Sequence, residues 1–238
     1  MSSPVVVIPA YNPAPCLPEM VRQLAGSAEV AAILLVDDGS RPAFQPLFHG
    51  AAQAGAILLL HPVNRGKGAA LKTAFREAAA RFPGHIGIVT ADADGQHTVA
   101  DIRRIARALA EHPHSLVLGV RRFDATVPWR SRIGNQLTRH AVRRLAGATL
   151  TDTQTGLRGL PMDFAPALLR SPYNRYEFEL EMLLRWLSTG RPIFEVAIET
   201  LYPDRNRLSH FHPLIDSLKV YRVFLGRAWR RSSSAEST

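Results

Sequence analysis

The stretch IGIVTADADGQH, residues 86–97, decides how the chain is interpreted. Its apolar start predicts a buried strand, and two carboxylates, Asp92 and Asp94, follow two residues apart. Because side chains alternate along an extended backbone, both carboxylates are expected on the same side of it. Gly95 then allows the chain to turn sharply. Polar residues at the end of a buried strand predict an open α/β sheet, in which ligands bind at the strand ends.

The two carboxylates of this stretch are hard oxygen donors, which suit Mg²⁺ or Mn²⁺. A divalent ion that is bound by one or two carboxylates usually holds substrate phosphates as well. The stretch therefore predicts a metal–diphosphate site. The alternative is a solvated turn, since Asp and Gly are both common in turns.

Strands and helices alternate along the first half of the chain. Apolar runs predict strands at residues 5–8, 31–36, 56–60, 86–89 and 115–120, and helical spacing predicts helices at residues 17–25, 44–54, 69–82 and 98–110. This alternation predicts a mostly parallel sheet that is flanked by helices. Polar clusters follow the first, second and fourth strands, so we expect these clusters to converge in one crevice.

The second half is less regular. We predict helices at residues 129–145, 176–187 and 214–229, a short strand entered at Arg158, a strand at 192–200 and a disordered tail at 231–238. In the first half, Thr98 is expected to cap the fourth helix, with Asp101 at its third position.

Composition is typical of a globular protein from a reducing compartment. The 238 residues fit one large domain, and a hydrophobic content of 46% is ample for a core. Cys16 is the single cysteine, so no intrachain disulfide can form. The start of the sequence predicts no signal peptide, and no apolar run approaches the ~18 residues of a spanning helix.

The positive charge lies in the second half of the chain. Residues 1–100 have no net charge, so residues 101–238 carry the whole formal charge of +9. Such a basic half suits phosphorylated substrates, anionic lipid or nucleic acid. The arginines lack the interleaved aromatic side chains of a single-strand binder, and no nucleic-acid-binding motif is found, so nucleic acid is not expected as a partner.

Four motifs, in order, resemble the signature of family 2 glycosyltransferases with the GT-A fold. They are VVIPAYN at residues 6–12, VDDGS at 36–40, NRGKG at 64–68 and DADGQH at 92–97. The dolichol- and polyprenyl-phosphate sugar synthases are the most similar group, and matches at residues 152–158, 175–179 and 209–211 extend the resemblance over about residues 4–225. It implies one GT-A (Rossmann-like) domain at residues 1–230, with a nucleotide-sugar-binding half at 1–120 and an acceptor-binding half at 121–230.

The resemblance implies that a hexose is transferred, with inversion, from a nucleotide diphosphate sugar. It makes Asp94 a catalytic residue that binds the metal directly, and it places Asp92 at the ribose or the metal. Gln96 and His210 are the further metal ligands that it implies. The expected nucleotide-sugar site comprises Pro9, Tyr11, Asn12, Val36, Asp38, Lys67, Asp92 and Ala93.

Two of these residues also have a physical assignment. Asp38 is placed to accept a hydrogen bond from a base N–H, although a turn or helix-cap role would explain it equally well. Lys67 stands among glycines at a helix start, where a cation and backbone N–H groups suit phosphates; its alternative is a solvated lysine.

The acceptor is predicted to be a polyprenyl phosphate. A lipid phosphate is already an anion and needs positive charge, which Arg121, Arg132 and Arg158 are expected to supply. A sugar hydroxyl would instead need a carboxylate base, for which Asp152 and Glu179 are the candidates. That hydroxyl acceptor, a nucleotidyl transferase, and a catalytically silent basic module that binds lipid or nucleic acid are the alternative functions.

The predicted helix at residues 214–229 has an apolar stripe beside basic residues. It is expected either to lie in the membrane interface or to pack on the domain. Together with a lipid acceptor, it implies a cytoplasmic protein that is peripheral on the cytoplasmic face of the cell membrane. The sequence predicts neither the sugar, the nucleotide base nor the oligomeric state.

Overall fold

A computed structural model describes residues 3–121, 135–136, 138–140, 142–144 and 147–199 of the chain. The described residues between 135 and 144 are helical, inside the helix predicted at 129–145. The predicted C-terminal helix and tail, Arg132 and His210 lie outside the described residues.

A seven-stranded sheet forms the centre of the described fold. Its strands are β1 (Val5–Ala10), β2 (Ala32–Asp38), β3 (Ile57–His61), β4 (Gly87–Thr90), β5 (Leu116–Arg121), β6 (Arg158–Pro161) and β7 (Ile193–Ile198), in the order β3-β2-β1-β4-β6-β5-β7. Strand β6 runs antiparallel to both of its neighbours, and the other pairs are parallel. The prediction of a mostly parallel sheet flanked by helices is therefore confirmed.

Helices cover both faces of the sheet. They are α1 (Leu17–Ala25), α2 (Gln45–Gln53), α3 (Lys67–Arg81), α4 (Val99–Glu111), α5 (Ala165–Leu169) and α6 (Glu177–Leu187). Alternation along β1 sends Val5 and Val7 into one core with α3, α5 and α6, and Val6 and Ile8 into a second core with α1, α2 and α4. Every residue of β1 is buried, as expected of a central strand in such a sheet.

Several element boundaries differ from the sequence prediction by one or two residues, among them the end of β2 and the start of α3. Strand β2 continues to Asp38, two residues beyond the predicted end, because Asp37 and Asp38 pair with Leu60 and His61 of β3. Helix α3 begins at Lys67, two residues before the predicted start. Both differences lengthen an element toward the polar crevice.

The start of α4 is as predicted. Thr98 Oγ1 accepts a hydrogen bond from Asp101 N at 3.0 Å and donates one to Asp101 Oδ2 at 2.7 Å, so cap and third residue bind each other. Among the helices that the structure describes, none combines the length and the apolar character needed to cross a membrane.

Candidate active site

The loops that follow β1, β2 and β4 meet at the carboxyl edge of the sheet, as the sequence predicted. Asn12 binds the β2 loop twice: its N–H donates to Ser40 Oγ at 2.9 Å, and its Oδ1 accepts from Arg41 N at 3.1 Å. Ala14 N donates to Ala93 O at 3.0 Å, which ties the β1 loop to the β4 loop. Hydrogen bonds of backbone and side-chain groups therefore hold the three polar clusters together.

Lys67 is the central cation of this edge. It stands at the first position of α3, and its Nζ lies 2.6 Å from Asp92 Oδ1 and 3.0 Å from Glu179 Oε1. Burial lowers the pKa of Lys67, but Asp92 and Glu179 outweigh it and leave the pKa above its usual range. Lys67 is therefore a fixed positive charge that joins α3, the β4 loop and α6.

Asp92 is correspondingly held as an anion. Burial alone raises the pKa of its carboxyl, but the charge of Lys67 and then the neighbouring His97 lower it well below its usual range. His97 is 8% exposed, and its Nε2 lies 3.4 Å from Asp92 Oδ2. Neither buried ring nitrogen of His97 has a hydrogen-bond partner among the described residues, and Nε2 faces Asp92 across that longer contact.

Asp94 lies on the same side of the β4 loop as Asp92. Ala91, which precedes Asp92, and Ala93, which lies between the two carboxylates, are both buried. Its Oδ1 accepts a hydrogen bond from Gln96 N at 3.0 Å. Burial and the charge of Asp92 raise the pKa of Asp94, which marks a carboxylate whose negative charge is poorly matched by the protein. Gly95 makes the turn with a φ of +79°, as the sequence predicted.

The donor set of this loop fits Mg²⁺ or Mn²⁺ bound together with a diphosphate. No cluster of three or more His, Cys, Asp or Glu side chains that could hold a metal occurs in the described part of the chain. Mg²⁺ usually takes one or two carboxylates and completes its shell with substrate phosphates and water. Within the part of the chain that the structure describes, no cation balances the charge of Asp94 as closely as Lys67 balances that of Asp92, so Asp94 is the carboxylate whose charge such an ion would balance.

Gly156 closes the site from the second half of the chain, and the sequence analysis did not single it out. A Cβ there would lie 2.4 Å from Asp92 Oδ2 and 3.1 Å from Lys67 Nζ. The Gly156 carbonyl accepts a hydrogen bond from Thr90 Oγ1 at 2.7 Å, which fixes the loop on β4. The only sequence signal was a glycine within the polar loop 151–158.

Asp38 organises the start of α3. Its Oδ1 accepts from Arg65 N at 2.9 Å and lies 2.7 Å from His61 Nδ1, and its Oδ2 accepts from Gly66 N at 2.8 Å. The side chain is 4% exposed. Asp38 therefore holds the backbone of the loop that leads into α3, and contact with a base stays a prediction. His61 was also missed by the sequence analysis.

Asp152 and Arg121 form an ion pair with each other. Asp152 is fully buried, and its two oxygens accept from Arg121 Nε at 2.6 Å and Arg121 Nη2 at 3.0 Å. Gln154 N donates to the same carboxylate at 3.0 Å. Both oxygens of Asp152 are therefore already hydrogen-bonded, and its role as a general base stays a prediction.

Arg158 also differs from the sequence expectation. It is 1% exposed, and its guanidinium donates to the carbonyls of Thr155 (2.8 Å), Glu179 (2.5 Å) and Thr153 (3.3 Å). Burial lowers the pKa of Arg158, and the nearby carboxylates oppose that shift. Arg158 therefore fastens the loop before β6 to α6, and it is not an open ligand for an acceptor phosphate.

The remaining residues predicted to contact the sugar donor differ in their solvent exposure. Tyr11 is 37% exposed at the edge and can meet a ligand ring. Pro9, Val36 and Ala93 are buried, so they offer backbone groups and shape. Of the predicted site residues, the structure brings together Lys67, Asp92, Asp94, Gln96 and Glu179, with Asp152 and Arg121 as a separate pair.

Comparisons with known proteins agree with this geometry. The family model described as Glycosyl transferase family 2 matches residues 5–171. An uncharacterized protein of Methanocaldococcus jannaschii is 30% identical over 204 residues, covering 84% of this chain and 82% of its own length.

Two named relatives extend the comparison. The UDP-N-acetylglucosamine–dolichyl-phosphate N-acetylglucosaminyltransferase of Methanococcus voltae is 26% identical, covering 92% of this chain and 94% of its own length. The undecaprenyl-phosphate 4-deoxy-4-formamido-L-arabinose transferase of Pseudomonas savastanoi pv. phaseolicola is 30% identical, covering 69% of this chain and 49% of its own length.

Among solved structures, glucosyl-3-phosphoglycerate synthase from Mycobacterium tuberculosis, in complex with Mn²⁺, uridine diphosphate and phosphoglyceric acid, has a TM-score of 0.70. It is 18% identical, and the match covers 95% of this chain and 78% of that one. At this identity the likeness concerns the fold.

Proposed function

We propose, from the premise that this chain belongs to glycosyl transferase family 2 and is a glycosyltransferase, that it transfers a hexose from a nucleotide diphosphate sugar to a polyprenyl phosphate. The transfer proceeds with inversion and depends on Mg²⁺ or Mn²⁺. The single observation that carries the proposal is Lys67, a partly buried cation held between Asp92 and Glu179 beside the Asp94 carboxylate.

The donor side rests on the charges of the β4 loop and α3. Lys67 stays protonated, since the two carboxylates raise its pKa, and it supplies a fixed positive charge at a helix start for a diphosphate. Asp94, with Asp92 and Gln96, would hold the metal, and His210 is proposed as a further ligand. A bound divalent ion supplies Lewis-acid stabilisation of the departing diphosphate. Tyr11, Asn12 and Asp38 are proposed to contact the nucleoside.

The proposed lipid-phosphate acceptor is supported by two carboxylates that are already in ion pairs. Transfer to a sugar hydroxyl needs a free base, yet Asp152 is paired with Arg121 and Glu179 with Lys67. A lipid phosphate is an anionic nucleophile and needs none. Relatives that cover most of this chain are named for dolichyl and undecaprenyl phosphate, which supports the same choice. Arg132 and Arg121, whose guanidinium also binds Asp152, are the proposed acceptor-phosphate residues.

Both halves of the chain are proposed to act as one domain, residues 1–230. Strand β6 from the second half inserts between β4 and β5 of the first, and β7 pairs with β5. The proposed location is the cytoplasmic face of the cell membrane, because a lipid phosphate must reach the crevice from a bilayer.

The test measures transfer from a panel of nucleotide diphosphate sugars to a short polyprenyl phosphate in detergent, with Mn²⁺ or Mg²⁺. Replacing Asp94 by Asn is expected to lower kcat/KM at least about a hundredfold, because metal-type charge stabilisation contributes several kcal/mol. Asp163→Asn, at an exposed ion pair with Arg191, is the matched control and should leave kcat/KM unchanged. Full turnover by Asp94→Asn with every donor that the wild type uses would refute the proposal.

A further inference from the structure

His61, the last residue of β3, is a buried histidine with a partner at each of its two ring nitrogens. Its Nδ1 lies 2.7 Å from Asp38 Oδ1, and its Nε2 lies 3.0 Å from Oγ1 of Thr73 on α3. The side chains of His61 and Asp38 are each 4% exposed. The ring therefore bridges the end of β2 and α3 in the interior of the protein.

The direction of the hydrogen bonds in this bridge follows from the groups that form it. A carboxylate oxygen accepts hydrogen bonds, so His61 Nδ1 carries a hydrogen and donates to Asp38. In the neutral ring, Nε2 is then the acceptor, and the Thr73 hydroxyl is its donor. Both ring nitrogens thus have a partner of the matching kind, which fixes the orientation of the ring.

Asp38 extends the bridge to the turn in front of α3. Its Oδ1 also accepts from Arg65 N at 2.9 Å, and its Oδ2 accepts from Gly66 N at 2.8 Å. Lys67 follows directly, as the first residue of α3. The carboxylate binds both N–H groups only in one orientation, and the N–H of His61 holds it there from the β3 side.

The same turn is packed closely on two sides. Gly39 has a φ of +71°, and a Cβ there would lie 2.3 Å from the carbonyl carbon of Val63. Gly66 has a φ of +99°, and a Cβ there would lie 2.5 Å from Asn174 O. Since neighbouring backbone occupies both sides, the hydrogen bonds to Asp38 select one position for the turn and for the residue that follows it.

Lys67 is the residue for which this position matters. Its Nζ lies 2.6 Å from Asp92 Oδ1 and 3.0 Å from Glu179 Oε1. A positively charged group acts on a reacting diphosphate only when it is held in place, because a misplacement of about 1 Å can cost a hundredfold in rate. The bridge anchors α3 both in front of Lys67, through Asp38, and behind it, through Thr73.

We propose that His61 is a positioning residue for the sugar donor. It fixes the turn before α3 through its contacts with Asp38 and Thr73, and the fixed turn places Lys67 against the donor diphosphate. The inference rests on the proposed function, in which Lys67 binds that diphosphate. His61 lies in the interior and acts on the donor through these partners, so it is not itself a catalytic residue.

The first test uses two amide variants of the full chain, each of which keeps one half of the ring's chemistry. The amide nitrogen of His61→Asn replaces Nδ1 and can still donate to Asp38, whereas that of His61→Gln replaces Nε2. Hydrogen exchange of the Arg65 and Gly66 amides, followed by NMR, reports on their bonds to Asp38. We expect at least tenfold faster exchange at both amides in His61→Gln, and exchange within threefold of wild type in His61→Asn.

Donor kinetics test the consequence for Lys67. In detergent with Mn²⁺, His61→Gln should raise the KM of the nucleotide diphosphate sugar at least fivefold and leave the KM of the polyprenyl phosphate within twofold. Thr73→Val should raise the donor KM as well, and Thr73→Ser, which keeps the hydroxyl, should restore it. A loss of folded protein alone would lower kcat and leave both KM values unchanged. The control is His85→Gln, at a histidine that contacts Ser3 O, and it should keep both KM values within twofold.

The assignment is overturned if His61→Asn and His61→Gln exchange at equal rates, or if the donor KM of His61→Gln equals that of wild type. Failure of the proposed function gives a different result, because the exchange measurement needs no substrate. If wild type transfers no sugar, the proposed function fails, and faster exchange in His61→Gln alone still supports the positioning of the turn. Transfer by wild type, with normal exchange and donor KM in His61→Gln, would defeat this inference and leave the proposed function in place.

Discussion

Gly156 and Asp92 are packed so closely that a Cβ at residue 156 would lie 2.4 Å from Asp92 Oδ2. The same Cβ would stand 3.1 Å from Lys67 Nζ. A side chain there has to displace one member of the ion pair, because the Gly156 carbonyl is itself held by Thr90. The backbone of the second half of the chain thus sets the position of two donor-site charges in the first half.

Gly156→Ala should therefore weaken donor binding. We expect at least a tenfold rise in the Kd of the nucleotide diphosphate sugar, equivalent to about 1.4 kcal/mol, measured by calorimetry with Mn²⁺ present. Gly84→Ala is the control, since nothing lies within 4 Å of a Cβ at that position. An unchanged Kd for Gly156→Ala would show that the Asp92–Lys67 pair does not contact the donor.

Glu179→Gln separates the two classes of acceptor. A general base contributes about 10²–10⁴-fold to a rate, so a hydroxyl acceptor predicts that kcat falls by at least a hundredfold while donor binding persists. A phosphate acceptor predicts a change in kcat below about tenfold, because Lys67 keeps Asp92 as a partner. Single-turnover rates with saturating donor measure the difference, and a loss beyond a hundredfold would contradict the lipid-phosphate assignment.

Arg158→Met should destabilise the fold. The guanidinium is buried and donates to three backbone carbonyls, so the variant removes three charge-assisted hydrogen bonds. A buried hydrogen bond to a charged group contributes about 1.5–3 kcal/mol, so we expect the free energy of unfolding in urea to fall by at least that amount. Arg170→Met, at an exposed position, should stay within about 0.5 kcal/mol of wild type. Equal stability of the two variants would indicate an open, substrate-facing Arg158.

Glu29 gives a pH prediction away from the site. Hydrogen bonds from Arg103 and then Ser27 lower the pKa of Glu29 from 4.5 to about 2. A lowered folded-state pKa stabilises the fold above the unfolded value, so this contribution is present above pH 4.5 and is lost as the pH falls toward 2. NMR titration of the Glu29 carboxyl should show the low pKa, and Arg103→Gln should return it toward 4.5. A Glu29 pKa that does not respond to Arg103→Gln would contradict the assignment.

Local sequence determined the framework of the donor half. The apolar runs at residues 5–8 and 86–89 predicted β1 and β4, and the face that each residue takes follows from its parity along the strand. The helix cap formed by Thr98 and Asp101 and the positive φ of Gly95 could also be predicted. Each of these features depends only on neighbours within three residues. The four motifs predicted that the carboxyl edge of the sheet would hold the polar cluster.

Contacts between distant segments were decided by the tertiary structure. Nothing in residues 158–161 specifies an antiparallel place between β4 and β5, because strand pairing is set by partners elsewhere in the chain. The sequence equally could not tell an open Arg158 from a buried one, or a free Asp152 from one paired with Arg121. Charged side chains acquire their role from what surrounds them after folding, since burial and partners fix both their pKa and their access to a ligand. The sequence alone thus determined which residues stand at the strand ends. Folding decided which of their charged side chains form ion pairs with each other.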